Sequence, residues 1–244
     1  MRIFLIISFL WIVFACQKPS QRACWKTSGP IVQKSFELQS FSFLKVGPYI
    51  EIELIQDSLN FLEWEAGANL TSFLNLTYDH DTLILNNNNR CKFLRYSNGH
   101  VKAKLHFSVI RELHLYNSEQ ILTNGKWTAD ELLVHLKEGV GKIELNIDVG
   151  KLDIRNNYGW QPTQLRGICQ ALFVDVDGSA SLNCAELKIS DSVSFRSSSP
   201  LTSYVMVDSA LLKAQLYGPG NLYYLGVPSQ ILKSEYNTGK VLPK

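Results

Sequence analysis

Five histidines, a pair of aspartates (Asp175 and Asp177) and five cysteines are the side chains of this 244-residue chain whose types could carry chemistry. A histidine acts as a base or a metal ligand when its partners recur at a spacing that brings them to one side of an element, as in H-E-x-x-H on a helix. A G-x-S-x-G turn would supply a nucleophile. His80, His100, His106, His114 and His135 sit in neither setting. His106 and His114 fall inside strand-like segments and read as partly exposed structural side chains. Asp79-His80-Asp81 offers three ligating types in succession, but it reads as a turn between strands, where adjacent side chains diverge. Asp175 and Asp177 alternate onto one strand face and could stand side by side. Parallel β-helix enzymes that act on acidic polysaccharides cluster carboxylates with calcium and a basic residue, whereas here only the pair is visible, and Asp177 also opens a turn. No catalytic residue is assigned, and neither a metal nor a cofactor is expected.

The cysteines point to address and cross-linking. Arg2 precedes an apolar run from Ile3 to Ala15, shorter than the roughly 20 residues a membrane span needs. It ends in Val13-Phe14-Ala15-Cys16, which resembles a bacterial lipobox, so residues 1–15 are expected to be a signal peptide and Cys16 the lipidated residue. Residues 16–23 read as the tether that follows the lipid. An exported protein would meet an oxidising compartment, where disulfides can form, and the four cysteines besides Cys16 allow three connectivities. No C-x-x-C spacing favours zinc. Cys169 and Cys184 occupy different phases of the repeat described below; a second bridge between them and a pair of buried free thiols are both open readings.

Trp160, Tyr217, Tyr223 and Tyr224, with Tyr204, are candidate surface-binding aromatics, since aromatic faces stack on sugars. The alternative is that alternate members fill the core. Formal net charge is +2, with no run of Lys or Arg interleaved with aromatics, so a nucleic-acid partner is not expected.

These residues must be positioned by strands. From Leu113 onward a short apolar strand, a four-residue small or polar turn and another strand recur at a spacing of about 20 residues. The turns begin at Asn117, Glu138, Asn157, Asp177, Ser197, Tyr217 and Asn237. A pair of apolar residues spaced two apart precedes most of the turns: Leu113 and Leu115, Val134 and Leu136, Leu152 and Ile154, Leu172 and Val174, Val193 and Phe195. Alternation puts each pair on one face, which stacked repeats would bury as a continuous core. A β-sandwich also has short strands with frequent turns, but the regular spacing favours a parallel β-helix-like solenoid over residues 113–244. Residues 24–112 form a β-rich N-terminal part with period-2 segments such as Phe41–Val46, Tyr49–Ile55 and Val101–Val109. Thr128–Leu133 is the best helix candidate, but the strand rhythm claims its end. The mature chain is read as all-β, and residues 24–244 as one continuous unit.

The chain resembles a bacterial family, the putative auto-transporter adhesin head domain or GIN domain. The resemblance rests on Phe41-Ser42-Phe43-Leu44-Lys45-Val46, Glu65-Ala66-Gly67-Ala68-Asn69-Leu70, Leu83-Ile84-Leu85-Asn86 and Arg90-Cys91-Lys92-Phe93-Leu94-Arg95. It continues in Leu216-Tyr217-Gly218-Pro219-Gly220-Asn221-Leu222. It implies a β-helical fold, an exported or lipoprotein address and no established catalysis. The family's turns are typically richer in Gly than Asn117–Gln120 and Ser197–Pro200 are here. It also implies a disulfide between Cys24 and Cys91, which match the family's paired positions. The expected function is that of an outer-membrane lipid-anchored binding protein, at the periplasmic face or the cell surface, with the membrane as one partner and a glycan or protein as ligand. A carbohydrate-active β-helix enzyme and a structural envelope protein are the alternatives.

Non-reducing peptide mapping of the exported protein is expected to recover Cys24 and Cys91 linked; free thiols at both positions would refute the pairing.

Overall fold

The computed structural model describes residues 27–89, 101–116 and 118–244. Cys16, Cys24, Cys91 and His100 lie outside them, so the lipidation site and the Cys24–Cys91 pairing fall outside the described residues.

Inward apolar residues at every second position generate the architecture. In β11 (Ile143–Asn157) Ile143, Leu145, Ile147 and Val149 are buried while the residues between them face out. The alternation slips at Gly150 and Lys151, and then Leu152, Ile154 and Asn156 are buried. Such a slip puts two consecutive residues outside, which a flat strand cannot do, so the strand bends there. Similar slips follow Ala129 in β10 (Trp127–Lys137), Cys169 in β12 (Thr163–Asp177) and Ile189 in β13 (Leu182–Ser197). Thr128–Leu133 therefore lies within a strand. Each repeat is a strand, a bend, a second strand and a turn. Parallel pairing sets Leu132 beside Leu152, Leu152 beside Leu172, and Leu172 beside Val193. The fold is the all-β, parallel solenoid expected from the repeat.

The bends divide the stack into two ladders. One runs through β8 (Glu112–Leu115) and the second halves of β10 to β13 to β15 (Leu211–Leu216) and β17 (Gln230–Glu235). The other runs through β9 (Ile121–Thr123) and the first halves of β11 to β13 to β14 (Ser203–Met206), β16 (Leu222–Leu225) and β18 (Val241–Pro243). Each ladder is formed by strands that face outward on one side and bury the other in a shared core.

The N-terminal strands join the same stack out of sequence order. β2 (Phe43–Val46) lies between β6 (Thr82–Asn87) and β8, and β3 (Glu51–Gln56) between β7 (Lys102–Phe107) and β9. One apolar core runs from Phe41 to Val241. The first end is closed by antiparallel strands: β5 (Leu74–Asp79) on β6, and β4 (Phe61–Gly67) on β7 with β1 (Ile31–Glu37) outside it. A reversed strand ends parallel growth, and β1 is almost entirely exposed and carries Gln33, Lys34, Ser35 and Glu37, which suits an edge. At the other end β17 and β18 are the terminal strands, carrying Lys233, Glu235 and Pro243.

The turns expected to begin at Glu138, Asn157, Asp177, Ser197, Tyr217 and Asn237 each lie between successive strands. The glycine-free turn after Ser197 holds through its serines: Ser199 N–H donates to Ser197 Oγ at 3.1 Å, Ser199 Oγ donates to the Ala180 carbonyl at 2.8 Å, and Leu201 N–H donates to Ser199 Oγ at 3.1 Å.

Gly167 sits inside β12 with φ +111°, and a Cβ there would fall 2.0 Å from the Ile147 carbonyl oxygen of the previous rung. Both the backbone angle and the space demand glycine. Gly167→Ala is expected to lower stability by roughly 2–4 kcal/mol in chemical denaturation. A loss below about 0.5 kcal/mol would show that the rungs can separate locally at no cost.

Candidate functional site

In-register stacking brings together side chains about 20 residues apart, so functional clusters run across rungs. On the first ladder the outward position of β8 and its successors reads Lys45, His114, His135, Arg155, Asp175, Arg196, Gln215 and Ser234 from strand to strand. His114 and His135 lie side by side, their rings stacked with centroids 4.6 Å apart at 20°. Glu112, two residues before His114 on the same face, hydrogen-bonds His114 Nε2 and places Oε1 3.7 Å from His135 Nε2. All three side chains are half-buried. Burial, and then the neighbouring His114, pull the His135 pKa below the ordinary histidine value. The sequence reading assigned no metal ligands and treated His114 as a lone structural side chain. The missed signal was phase: His114 and His135 occupy the same place in successive repeats.

The two aspartates singled out from sequence are engaged separately. Asp175 Oδ2 lies 3.5 Å from Arg196 Nη1. Asp177 Oδ1 accepts the Ser198 hydroxyl at 2.6 Å, and its carbonyl accepts the Tyr158 N–H at 2.6 Å. In the turn at His80, Nδ1 meets Asp79 Oδ1 at 2.8 Å, while Asp81 accepts the Ser42 N–H at 3.0 Å.

The aromatics divide by strand parity. Tyr217 stacks on Tyr236, one rung on, with centroids 4.7 Å apart at 10°, and the Arg196 guanidinium lies 5.3 Å from the Tyr217 centroid. Tyr223 stacks on Tyr204 at 5.7 Å, with Lys244 Nζ 4.5 Å from the Tyr204 centroid. Tyr224 corrects the expectation. It follows Tyr223 on β16, so it turns to the opposite side, level with Val205, and packs against the core. Trp160 is exposed on a turn with Tyr158 nearby, and among the described residues no ring contact joins it to either tyrosine pair. Tyr236 and Tyr204, which complete the pairs, are found by adding or subtracting one repeat from Tyr217 and Tyr223.

The column of bends forms an open cleft of about 1140 Å³, lined among others by Glu112, Asp130, Glu131, Asp148 and Asp153 with the exposed apolar Val109 and Ile168. Lys151 and Arg111 are the cations on its walls. Lys151 turns its Nζ to 5.6 Å from the Phe173 ring.

Cys169 and Cys184 are both free and buried, so the second bridge entertained from sequence is not formed. Cys169 is level with Ile189, five residues beyond Cys184 on β13. At about 3.3 Å per residue that exceeds the roughly 7 Å between Cα atoms that a disulfide tolerates. Burial raises the Cys169 thiol to about 11 and pushes Cys184 up as well.

A family model described as "Putative auto-transporter adhesin, head GIN domain" matches residues 40–228. A search of curated proteins finds no match. Among solved structures, a putative adhesin from Bacteroides fragilis superposes with a TM-score of 0.81 at 16% identity, over 88% of this chain and 97% of that one. A putative adhesin from Parabacteroides distasonis gives 0.65 at 18% identity, over 88% and 98%. A putative lipid binding protein from the same organism gives 0.64 at 16%, over 88% and 97%. At these identities the likeness is one of fold.

The last rung is closed beside Tyr236 by Glu235. Its Oε1 accepts the Val241 N–H at 2.9 Å, and its Oε2 lies 3.1 Å from Lys240 Nζ. The Val241 hydrogen bond first, and Lys240 next, hold its pKa down to about 2. A lowered carboxyl pKa stabilises the fold above the unfolded value near 4.5, and that contribution disappears as pH falls through about 2. The protection factor of the Val241 amide, its exchange rate corrected for the intrinsic dependence on pH, is therefore expected to fall between those limits while that of Leu152 holds. An equal fall at both positions would mean global acid unfolding instead.

Proposed function

This chain belongs to the putative auto-transporter adhesin head, or GIN domain, family, and from that premise we propose that it is an exported, lipid-anchored binding protein of the cell envelope whose ligand is a glycan. Cys16 carries the anchor, residues 16–23 form the tether, and the outer membrane is the destination, at its periplasmic face or the cell surface.

The observation that carries the ligand class is the Tyr217–Tyr236 stack. Tyr217 covers one face of the Tyr236 ring, and Tyr236 is 63% exposed on the terminal rung. An exposed aromatic held flat by a stacked neighbour gives a preordered apolar platform for the C–H face of a sugar ring, with little side-chain entropy left to lose on binding. Arg196, one rung back, lies over the Tyr217 ring and helps to hold it in place. The second stack, Tyr204–Tyr223 with Lys244, repeats the arrangement on the other ladder. Binding rather than catalysis also fits the two aspartates, each held by its own partner from the next rung.

Three measurements test this reading. The Cys16→Ser variant is expected to leave the membrane fraction, and unchanged retention would refute lipid anchoring. Protease shaving of intact cells separates the surface from the periplasmic face. On a glycan array, the wild-type protein is expected to bind, and Tyr236→Ala to lose about fivefold to tenfold in affinity, the equivalent of about 1 kcal/mol of stacking. Binding to phospholipid vesicles with no glycan signal would replace the ligand class, and wild-type affinity in Tyr236→Ala would remove the platform from it.

A further inference from the structure

We propose that Glu112, His114 and His135 form a binding site for a borderline divalent transition metal, best matched by Zn2+. Their ligand atoms all lie within 4.8 Å of one another. A tetrahedral ion with ligands near 2.0–2.2 Å needs donors about 3.3 Å apart, which small rotations about side-chain torsions reach from here without moving the strands. Two imidazole nitrogens and one carboxylate oxygen are the donor set that zinc accepts with a fourth position left open.

The fold places these donors with little freedom. β8 and β10 are paired in register, with Leu113 beside Val134 and Leu115 beside Leu136, all four buried. A slip of one residue would turn those apolar side chains outward, so the histidines between them are held one strand spacing apart on the outer face. The site is reachable, because all three side chains keep partial contact with solvent: 28% for His114, 16% for His135 and 25% for Glu112.

The cations on either side are drawn away from it. Lys45, level with His114 on β2, points its Nζ to 5.1 Å from the Tyr116 ring. Arg155, level with His135 on β11, makes two hydrogen bonds to Asp153, at 3.0 and 2.7 Å. Glu112 thus supplies a carboxylate to a pair of imidazoles whose basic neighbours already have partners. An ion held here would clamp β8 to β10 across two rungs, and it would stand beside the open cleft that Glu112 also lines. The proposal is independent of the glycan reading, which concerns the far end of the stack.

The test is calorimetric titration of the untagged, detergent-solubilised full chain with Zn2+ alone, alongside visible spectroscopy with Co2+ as a reporter of low-symmetry coordination. The wild type is expected to bind a single equivalent with a rise in Tm. His135→Ala is expected to weaken binding about 100-fold or more and to abolish the Tm rise, and Glu112→Gln to weaken it about 10- to 100-fold. His80→Ala, altered at a histidine whose side chain is 96% exposed in the β5–β6 turn, should bind like the wild type. Metal-free Tm and circular dichroism of each variant identify any that fails to fold, and Glu112→Gln keeps the test open if a histidine variant does. No saturable Zn2+ binding by the wild type, wild-type affinity in both Glu112→Gln and His135→Ala, or equal loss in His80→Ala would overturn the site.

Discussion

Everything in this molecule depends on one constraint: the inward apolar side chains of each rung must lie directly over those of the next. Leu132, Leu152, Leu172 and Val193 form one such column, and all are essentially free of solvent. Burying a side chain of this size is worth about 1.5–3 kcal/mol, and no single rung can bury it alone. A shift of one residue would expose a whole strand's worth of apolar surface, so the register is held cooperatively from rung to rung. Positions that offend it are costly because the backbones are so close, as at Gly167 against the Ile147 carbonyl.

The outer surface inherits this register. Residues unrelated in sequence become neighbours because the core beneath them is locked. His114 meets His135, Asp175 meets Arg196, Tyr217 meets Tyr236 and Tyr204 meets Tyr223, each one rung apart. The solenoid is thus a device for making ladders of like or complementary side chains. It displays them as flat platforms, and at the bends as an open cleft. Such surfaces suit recognition of extended ligands better than enclosure of a small substrate.

The two ends are handled differently. Antiparallel β5, β4 and β1 close one end, and the insertion of β2 and β3 among later strands ties the N-terminal part into the stack. The other end is the terminal rung, held by Glu235 and edged with Pro243, and it carries the exposed Tyr236. The exposed aromatic platform and the ion-pair closure therefore share one end of the molecule, opposite the reversed strands.

The repeat, its turns and its inward residues were legible in the amino-acid sequence, because each is a local matter of alternation and turn chemistry: Val134 and Leu136, or Ser197 to Pro200, declare themselves within a few residues. The pairing of outward residues was not. The rung length drifts, from 21 residues between Leu113 and Val134 to 19 between Phe195 and Ala214, and the bends add slips that a fixed period does not predict. Tyr224 was misplaced because strand parity, not residue type, decides which of two adjacent tyrosines faces solvent. The threading of β2 and β3 between later strands left no trace in the repeat, since it joins segments far apart in the chain. Sequence by itself determined which residues must be buried and where the chain must turn. Only the tertiary structure decided which exposed side chains touch, because that depends on the exact register of stacked rungs, a long-range property set by the packing of the whole core.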